Sequence, residues 1–173
     1  MPIAVAMQRP AWRDTFSALR LHNYRLYVVA QLISNTAGWM QRIAVDWLVL
    51  ELTGSVALVG LTIALQFLPT LVLGAHAGVI ADRFSKRAVM LVCQAVGGLL
   101  NLVLAILAIT GHAQLLTVYA LVLAVGIAQV FDLPARSVFI TEMVGPQLVP
   151  SALGLNAASY NAGRLVGPAI AGQ

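Results

Sequence analysis

Five long apolar stretches, separated by short polar segments, run along the chain. We predict membrane-spanning helices at about residues 26–50, 56–80, 88–110, 115–142 and 152–173. Each has close to the roughly 20 residues that a helix needs to cross the hydrocarbon core of a bilayer. The apolar runs are continuous rather than alternating with period two, which argues against a membrane β-barrel. The pattern therefore predicts an all-α integral membrane protein.

Three features of the chain lie outside the simple division into five spans: the N-terminal segment, Pro134 and the end of the fifth apolar run. Residues 1–25 precede the first span, and Trp12, Phe16 and Leu19 follow one another at spacings of four and three. That spacing fits either an amphipathic segment on the membrane surface or a frayed basic tail. Pro134 is expected to bend or break the fourth helix. The chain ends within the fifth apolar run, so we expect 26–173 to be an incomplete helical bundle from a longer protein.

Composition and charge support a membrane location and suggest an orientation. The chain is 60% hydrophobic and 9% charged, against about 25% charged residues in soluble domains. Its net charge of +4 comes from Lys and Arg placed mainly before the first span and in 83–87. Cytoplasmic loops are enriched in these residues, so we expect a cytoplasmic N-terminus. Because the charges flank apolar spans and form no separate basic domain, no nucleic-acid partner is expected.

Polar residues recur on one face of the first span. Gln31, Asn35, Trp39, Arg42 and Asp46 follow one another at spacings of three or four, so they share a helix face. Polar side chains inside membrane helices usually face the bundle interior or a watery cavity. A direct Arg42–Asp46 pair is therefore expected, either as a structural ion pair or in substrate or proton handling.

Three further spans carry polar faces, whereas the third has little beyond Asn101. We therefore expect the third helix to be peripheral and the other four to surround a water-accessible cavity. The candidate substrate or proton residues are Asn35, Arg42, Asp46, Gln66, Asp132, Arg136, Asn156, Tyr160 and Arg164. A structural role is an alternative, above all for the Asp132–Arg136 pair. The glycine pairs Gly74/Gly78 and Gly163/Gly167 are spaced for close helix packing.

The segment between the second and third spans resembles the signature loop of the major facilitator superfamily, G-x-x-x-D-R-x-G-R/K-R/K. The matching residues are Gly78, Asp82, Arg83, Lys86 and Arg87, with Ser85 where the family usually has glycine. The fifth span resembles the G-P-x-x-G-G motif of superfamily antiporters through Gly163, Gly167, Pro168 and Gly172. Residues 38–55 and 132–156 resemble the enterobactin-exporter-like, drug:proton antiporter-3 (transmembrane secretion effector) branch.

This resemblance implies a twelve-helix transporter of the bacterial inner membrane, of which the chain supplies five helices of the N-terminal six-helix half. It implies proton-coupled export of small amphipathic molecules, of the drug or siderophore class, by alternating access. The loop would act as an inner gate, with Asp82 contacting the missing C-terminal half. Arg83 or Arg87 would pair with Glu142. Asp46 is the favoured protonation site. Its expected partners are therefore lipid, a small-molecule substrate, protons and the other half.

Other classes of function receive less support from the residues. No nucleophile–base pair, histidine cluster or cofactor motif is evident, so we expect neither an enzyme nor a bound cofactor. Three scattered histidines and the single cysteine, Cys93, do not predict a metal site. Uptake by the same fold, or a non-transporting truncated half that needs a partner chain, remains an open alternative.

Overall fold

The computed structural model describes residues 16–171, apart from the side chains of 79–82 and 171. A short 3₁₀ helix, Ser17–Arg20, precedes five long helices. These are α1 (His22–Thr53), α2 (Val56–Asp82), α3 (Lys86–Ile109), α4 (Leu115–Val144) and α5 (Val149–Ala171). The predicted all-α class is confirmed, and the helix ends lie within a few residues of the predicted boundaries. Most of the N-terminal segment, residues 1–15, lies outside the described residues.

Three of these helices are long and apolar enough to cross a membrane: Val56–Gly78, Lys86–Ile109 and Leu115–Val144. They correspond to α2, α3 and α4. With 32 and 23 residues, α1 and α5 also have sufficient length, but both carry the polar faces described above. That α1 and α5 span the bilayer stays a prediction. It requires their polar side chains to face protein or water rather than lipid.

The expected break at Pro134 does not occur, because α4 continues as a helix from Leu115 to Val144. Proline removes one hydrogen bond from the helix ladder, and neighbouring helices can compensate within a membrane bundle. Here α4 packs extensively along both α2 and α3. The helix therefore runs through Pro134 as the predicted span 115–142 does, so a break is wrong, whereas a bend at this proline stays a prediction.

Two apolar clusters hold the bundle together at opposite ends. One joins the 3₁₀ helix, α1, α4 and α5 through the buried residues Ala18, Tyr24, Ile140, Val144, Ala152 and Leu155. The other joins α1, α3 and α4 through Val45, Val49, Leu104, Val118 and Val122. Within the first cluster, the Tyr24 hydroxyl donates a hydrogen bond to the Ala152 carbonyl at 2.8 Å. The polar middle of α1 and α4 thus lies between two apolar ends.

Glycines permit the closest approaches between helices. A Cβ on Gly163 would lie 2.9 Å from the backbone carbonyl carbon of Asn35, and one on Gly126 would lie 3.0 Å from Cγ of Pro69. The Gly163/Gly167 pair therefore packs α5 against α1, as its spacing predicted. The Gly74/Gly78 pair has no such neighbour, since nothing described lies within 4 Å of a Cβ at either position.

Candidate functional site

A cavity of about 700 Å³ lies in the polar middle of the bundle, between α1, α3, α4 and α5. This volume falls within the range of small-molecule binding sites. Six of the nine residues predicted for substrate or proton handling line it: Asn35, Arg42, Asp132, Arg136, Asn156 and Tyr160. The polar helix faces therefore converge on one space. Asp46, Gln66 and Arg164 are not part of this lining.

The composition of the cavity wall corrects one expectation about the helices. Gln94, Gly97, Gly98 and Asn101 place α3 along the cavity, although α3 also leaves most of its large apolar residues exposed. α2 is absent from this wall. Its Gln66 borders a separate space of only about 20 Å³ between α1, α2 and α4. Gln94 and Asn101 are polar residues of α3 on this wall, but Gly97 and Gly98 between them add volume without polar side chains, so the sequence shows no continuous polar face on this helix.

Arg42 bonds across the bundle rather than along its own helix. Its Nη2 donates to Oε1 of Gln129 on α4 at 3.2 Å, and its guanidinium lies 4.8 Å from the ring centroid of Trp39. The expected direct pair with Asp46 is not among the ion pairs of the described residues. The Arg42 guanidinium instead contacts Gln129 on α4 and the ring of Trp39.

Asp46 is half-buried, and its hydrogen-bond partner lies on α2. Gln66 Nε2 donates to Asp46 Oδ1 at a long 3.4 Å. The described hydrogen bonds and ion pairs thus give this carboxylate a neutral amide partner but no cation within 4 Å. Glu51, farther along α1, is by contrast exposed and accepts a hydrogen bond from Trp47 Nε1 at 2.7 Å. Asp46 and Glu51 therefore occupy different environments on one helix.

Asp132 and Arg136 form an ion pair one turn apart on the cavity wall. Both Nε, at 3.1 Å, and Nη2 of Arg136 donate to Oδ2 of Asp132. Asp132 is 8% exposed, and its Oδ1 has no hydrogen-bond partner among the described residues. The pair thus neutralises two charges in the bundle and leaves one acceptor atom turned to the interior.

We expect Asp132→Ala to lower the free energy of unfolding by about 3 kcal/mol, because it leaves the Arg136 guanidinium buried without its counter-charge. Detergent unfolding of the purified protein measures this. Asp132→Ala combined with Arg136→Met should recover most of the loss, and Glu142→Gln, at an exposed position, should cause none. Equal losses in the single and double variants would show that the loss does not come from an unpaired Arg136 guanidinium.

An aromatic cluster joins α1 and α5 at the edge of the cavity. The rings of Trp39 and Tyr160 meet edge to face with their centroids 5.6 Å apart. The guanidinium carbon of Arg164 lies 5.7 Å from the centroid of the same indole ring. The guanidinium carbon of Arg42, which also contacts this ring, lies 5.4 Å from the ring centroid of Phe67. Sequence reasoning placed Trp39 on the polar stripe but missed that it contacts both arginines. The cluster brings three of the predicted residues, Arg42, Tyr160 and Arg164, to one ring.

The loop between α2 and α3 is a tight connection capped by Ser85. Ser85 Oγ accepts a hydrogen bond from the Ala88 amide at 3.3 Å and so caps α3. Arg83, Arg87 and Glu142 are exposed, and the expected pairing of Glu142 with either arginine is not among the ion pairs of the described chain. The Asp82 side chain and all of Gly172 lie outside the described residues.

A family model described as transmembrane secretion effector matches residues 13–173. The match includes the cavity, the loop and the glycine contacts between α1 and α5. No curated protein and no solved structure matches the chain significantly.

Proposed function

Since the chain belongs to the transmembrane secretion effector family of major facilitator transporters, we propose that it exports small amphipathic molecules in exchange for protons by alternating access. Membership makes it a multi-pass membrane protein of a transporter family, which is not a family of enzymes. The direction of transport, its coupling to protons and the class of substrate are what we propose.

The observation that carries this proposal is the polar cavity between two apolar clusters. Its wall combines amide side chains, such as Asn35 and Asn156, with the aromatic ring of Trp39. A molecule with both apolar and polar parts would find partners for each in such a wall. Drugs and siderophores, the substrates that the resemblance implies, have this mixed character.

Proton coupling rests on Asp46. Its described partner is the neutral amide of Gln66, so protonation of Asp46 breaks no described ion pair. Asp132, the other acidic candidate on the polar faces, is already paired with Arg136. A carboxyl group that alternates between charged and neutral forms is a common element of proton relays in membrane proteins. We therefore assign the exchanged proton to Asp46.

Alternating access requires a second wall and a gate. The resemblance supports a second helical half, in the same protein or in a partner chain, opposite this bundle. The gate would use the loop residues Gly78, Asp82, Arg83, Lys86 and Arg87 together with Glu142. The placement of Lys and Arg supports a cytoplasmic N-terminus. With that orientation the loop would face the cytoplasm, at the bacterial inner membrane that the resemblance implies.

The proposal is tested in inverted membrane vesicles that contain the full-length protein. With an acidic lumen, protons leave as substrate enters, so an amphipathic fluorescent dye should accumulate inside and should leak out when a protonophore is added. Vesicles without the protein are the control. Dye movement out of the lumen under the same gradient would indicate uptake in the cell. If no dye in a panel of anionic, neutral and cationic compounds moves with the gradient, proton-coupled export is wrong.

A further inference from the structure

Two arginines contact one aromatic ring at the edge of the cavity, and neither forms an ion pair with a carboxylate among the described residues. The guanidinium carbons of Arg42 and Arg164 lie 4.8 and 5.7 Å from the centroid of the Trp39 indole. Neither takes part in an ion pair among the residues that the structure describes. Arg136, the third arginine of these polar faces, is in contrast neutralised by Asp132. The surroundings of Trp39 are therefore positively charged.

Uncompensated charge is costly inside a membrane bundle. Contact with an aromatic face recovers part of the cost, about 0.5–2 kcal/mol for a cation over an indole, which falls short of what a counter-anion supplies. An anion bound between these side chains would stabilise both arginines. A positive charge at a fixed place is also a means of selecting ligands by their charge.

The guanidinium groups retain the donors that such an anion needs. Each guanidinium carries five N–H donors, and the described hydrogen bonds of Arg42 use one of them, from Nη2 to Gln129. Arg164 is exposed and its described contact is with the Trp39 ring. A carboxylate, sulfonate or phosphate accepts two parallel hydrogen bonds from the fork of one guanidinium. The unused donors therefore match an oxyanion.

The same cluster offers apolar contacts for the rest of the ligand. Tyr160 meets Trp39 edge to face and is 43% exposed, and Phe67 lies beside Arg42. Trp39, Arg42 and Tyr160 all belong to the wall of the 700 Å³ cavity. Flat aromatic rings stack on such side chains. The ligand that fits carries an oxyanion attached to an aromatic or similarly apolar body.

We propose that Arg42, Trp39 and Arg164 form the recognition site for the oxyanion of an aromatic organic acid, so that the transported substrates are organic anions. This inference rests on the proposed transport function and narrows it. The amphipathic molecule binds with its charged end at the two guanidinium groups and its rings toward Trp39 and Tyr160.

Binding of three probes with one ring system tests the charge preference. These are 2-naphthoate, the neutral 2-naphthalenemethanol and the cationic 2-naphthylmethylamine, titrated calorimetrically into the full-length protein in lipid nanodiscs. We expect 2-naphthoate to bind about tenfold or more tightly than the neutral probe, because hydrogen bonds to charged groups contribute that much, and the cation to bind weakest. Equal binding of all three probes would overturn the proposal.

Variants of the two arginines separate recognition from folding. Arg42→Gln and Arg164→Gln should each weaken 2-naphthoate binding about tenfold and leave binding of the neutral probe nearly unchanged. Arg164→Lys keeps the positive charge but loses the forked pair of donors. Its affinity for 2-naphthoate should therefore lie between that of the unaltered protein and that of Arg164→Gln. Arg20→Gln removes an exposed charge far from the cluster in sequence and should have no effect. If both probes lose affinity equally in the arginine variants, the arginines are structural and the proposal is wrong.

The binding test needs no gradient, so its outcome is independent of the transport assay. A protein that moves dyes but shows no preference for 2-naphthoate retains the proposed function and loses the anion site. This result is also expected if a carboxylate of the transporter itself occupies the two arginines. A protein that prefers 2-naphthoate but moves no compound with the gradient keeps the anion site and loses proton-coupled export.

Discussion

Asp46→Asn is expected to reduce dye accumulation in inverted vesicles to the level that remains after a protonophore is added. Asparagine has nearly the same shape as aspartate and keeps the oxygen that accepts the hydrogen bond from Gln66. It cannot bind or release a proton in this pH range. The variant should therefore fold and bind substrate as before, and lose the coupling of transport to the gradient.

Two variants on the same helix control this result. Asp46→Glu keeps an ionisable carboxyl group and should retain gradient-driven accumulation, at a reduced rate, because the longer side chain alters the contact with Gln66. Glu51→Gln removes a carboxylate that is exposed and bonded to Trp47, and should transport as the unaltered protein does. If Asp46→Asn still accumulates dye against its gradient, the exchanged proton is carried elsewhere.

Gly167→Leu is expected to cause the largest loss of stability, because it separates α5 from α1. A Cβ at this position would lie 2.7 Å from Cβ of Trp39 and 3.1 Å from both the Met40 amide nitrogen and the Thr36 carbonyl oxygen. Two of these three atoms belong to the backbone, which cannot move aside by changing rotamer. Without a hydrophobic driving force between helices in lipid, close packing of small residues is a main source of association.

The expected decreases in the free energy of unfolding follow from the overpacking that a side chain at Gly167 would cause. Gly167→Ala should lower the free energy of unfolding by about 1–3 kcal/mol, and Gly167→Leu by more, as measured by detergent unfolding of the purified protein. Gly154→Ala lies on the same helix with nothing within 4 Å of its added Cβ, so it should be neutral or gain up to about 1 kcal/mol from helix propensity. Similar unfolding of Gly167→Leu and Gly154→Ala would mean that α1 and α5 do not pack at this glycine.

Helix boundaries and helix faces could be predicted because they depend on neighbouring residues. Apolar runs and turn residues indicated all five helices, and spacings of three and four indicated that Asn35, Arg42 and Asn156 face inward. Six of the nine candidates line one cavity for this reason. The Gly163/Gly167 contact was likewise visible as a spacing, because residues four apart lie on one side of a helix.

Partners across the bundle could not be predicted in the same way. Arg42 and Asp46 are four residues apart and were expected to pair, yet Arg42 bonds Gln129, 87 positions away, and Asp46 bonds Gln66 on α2. The place of α3 in the cavity wall also depended on which helices pack together. None of these arrangements has a local signal in the sequence.

The pattern of residues was enough to identify an all-helical member of a membrane transporter family, to locate its helices and to show which of their faces are polar. The packing of the helices was needed to learn which polar faces meet and that Trp39 contacts both Arg42 and Arg164. It also showed that Asp46 accepts a hydrogen bond from an amide of α2 and forms no ion pair among the described residues. The reason is physical. Hydrophobic periodicity acts over a few residues and fixes each helix, whereas contacts between helices depend on the depth and rotation at which close-packed surfaces fit.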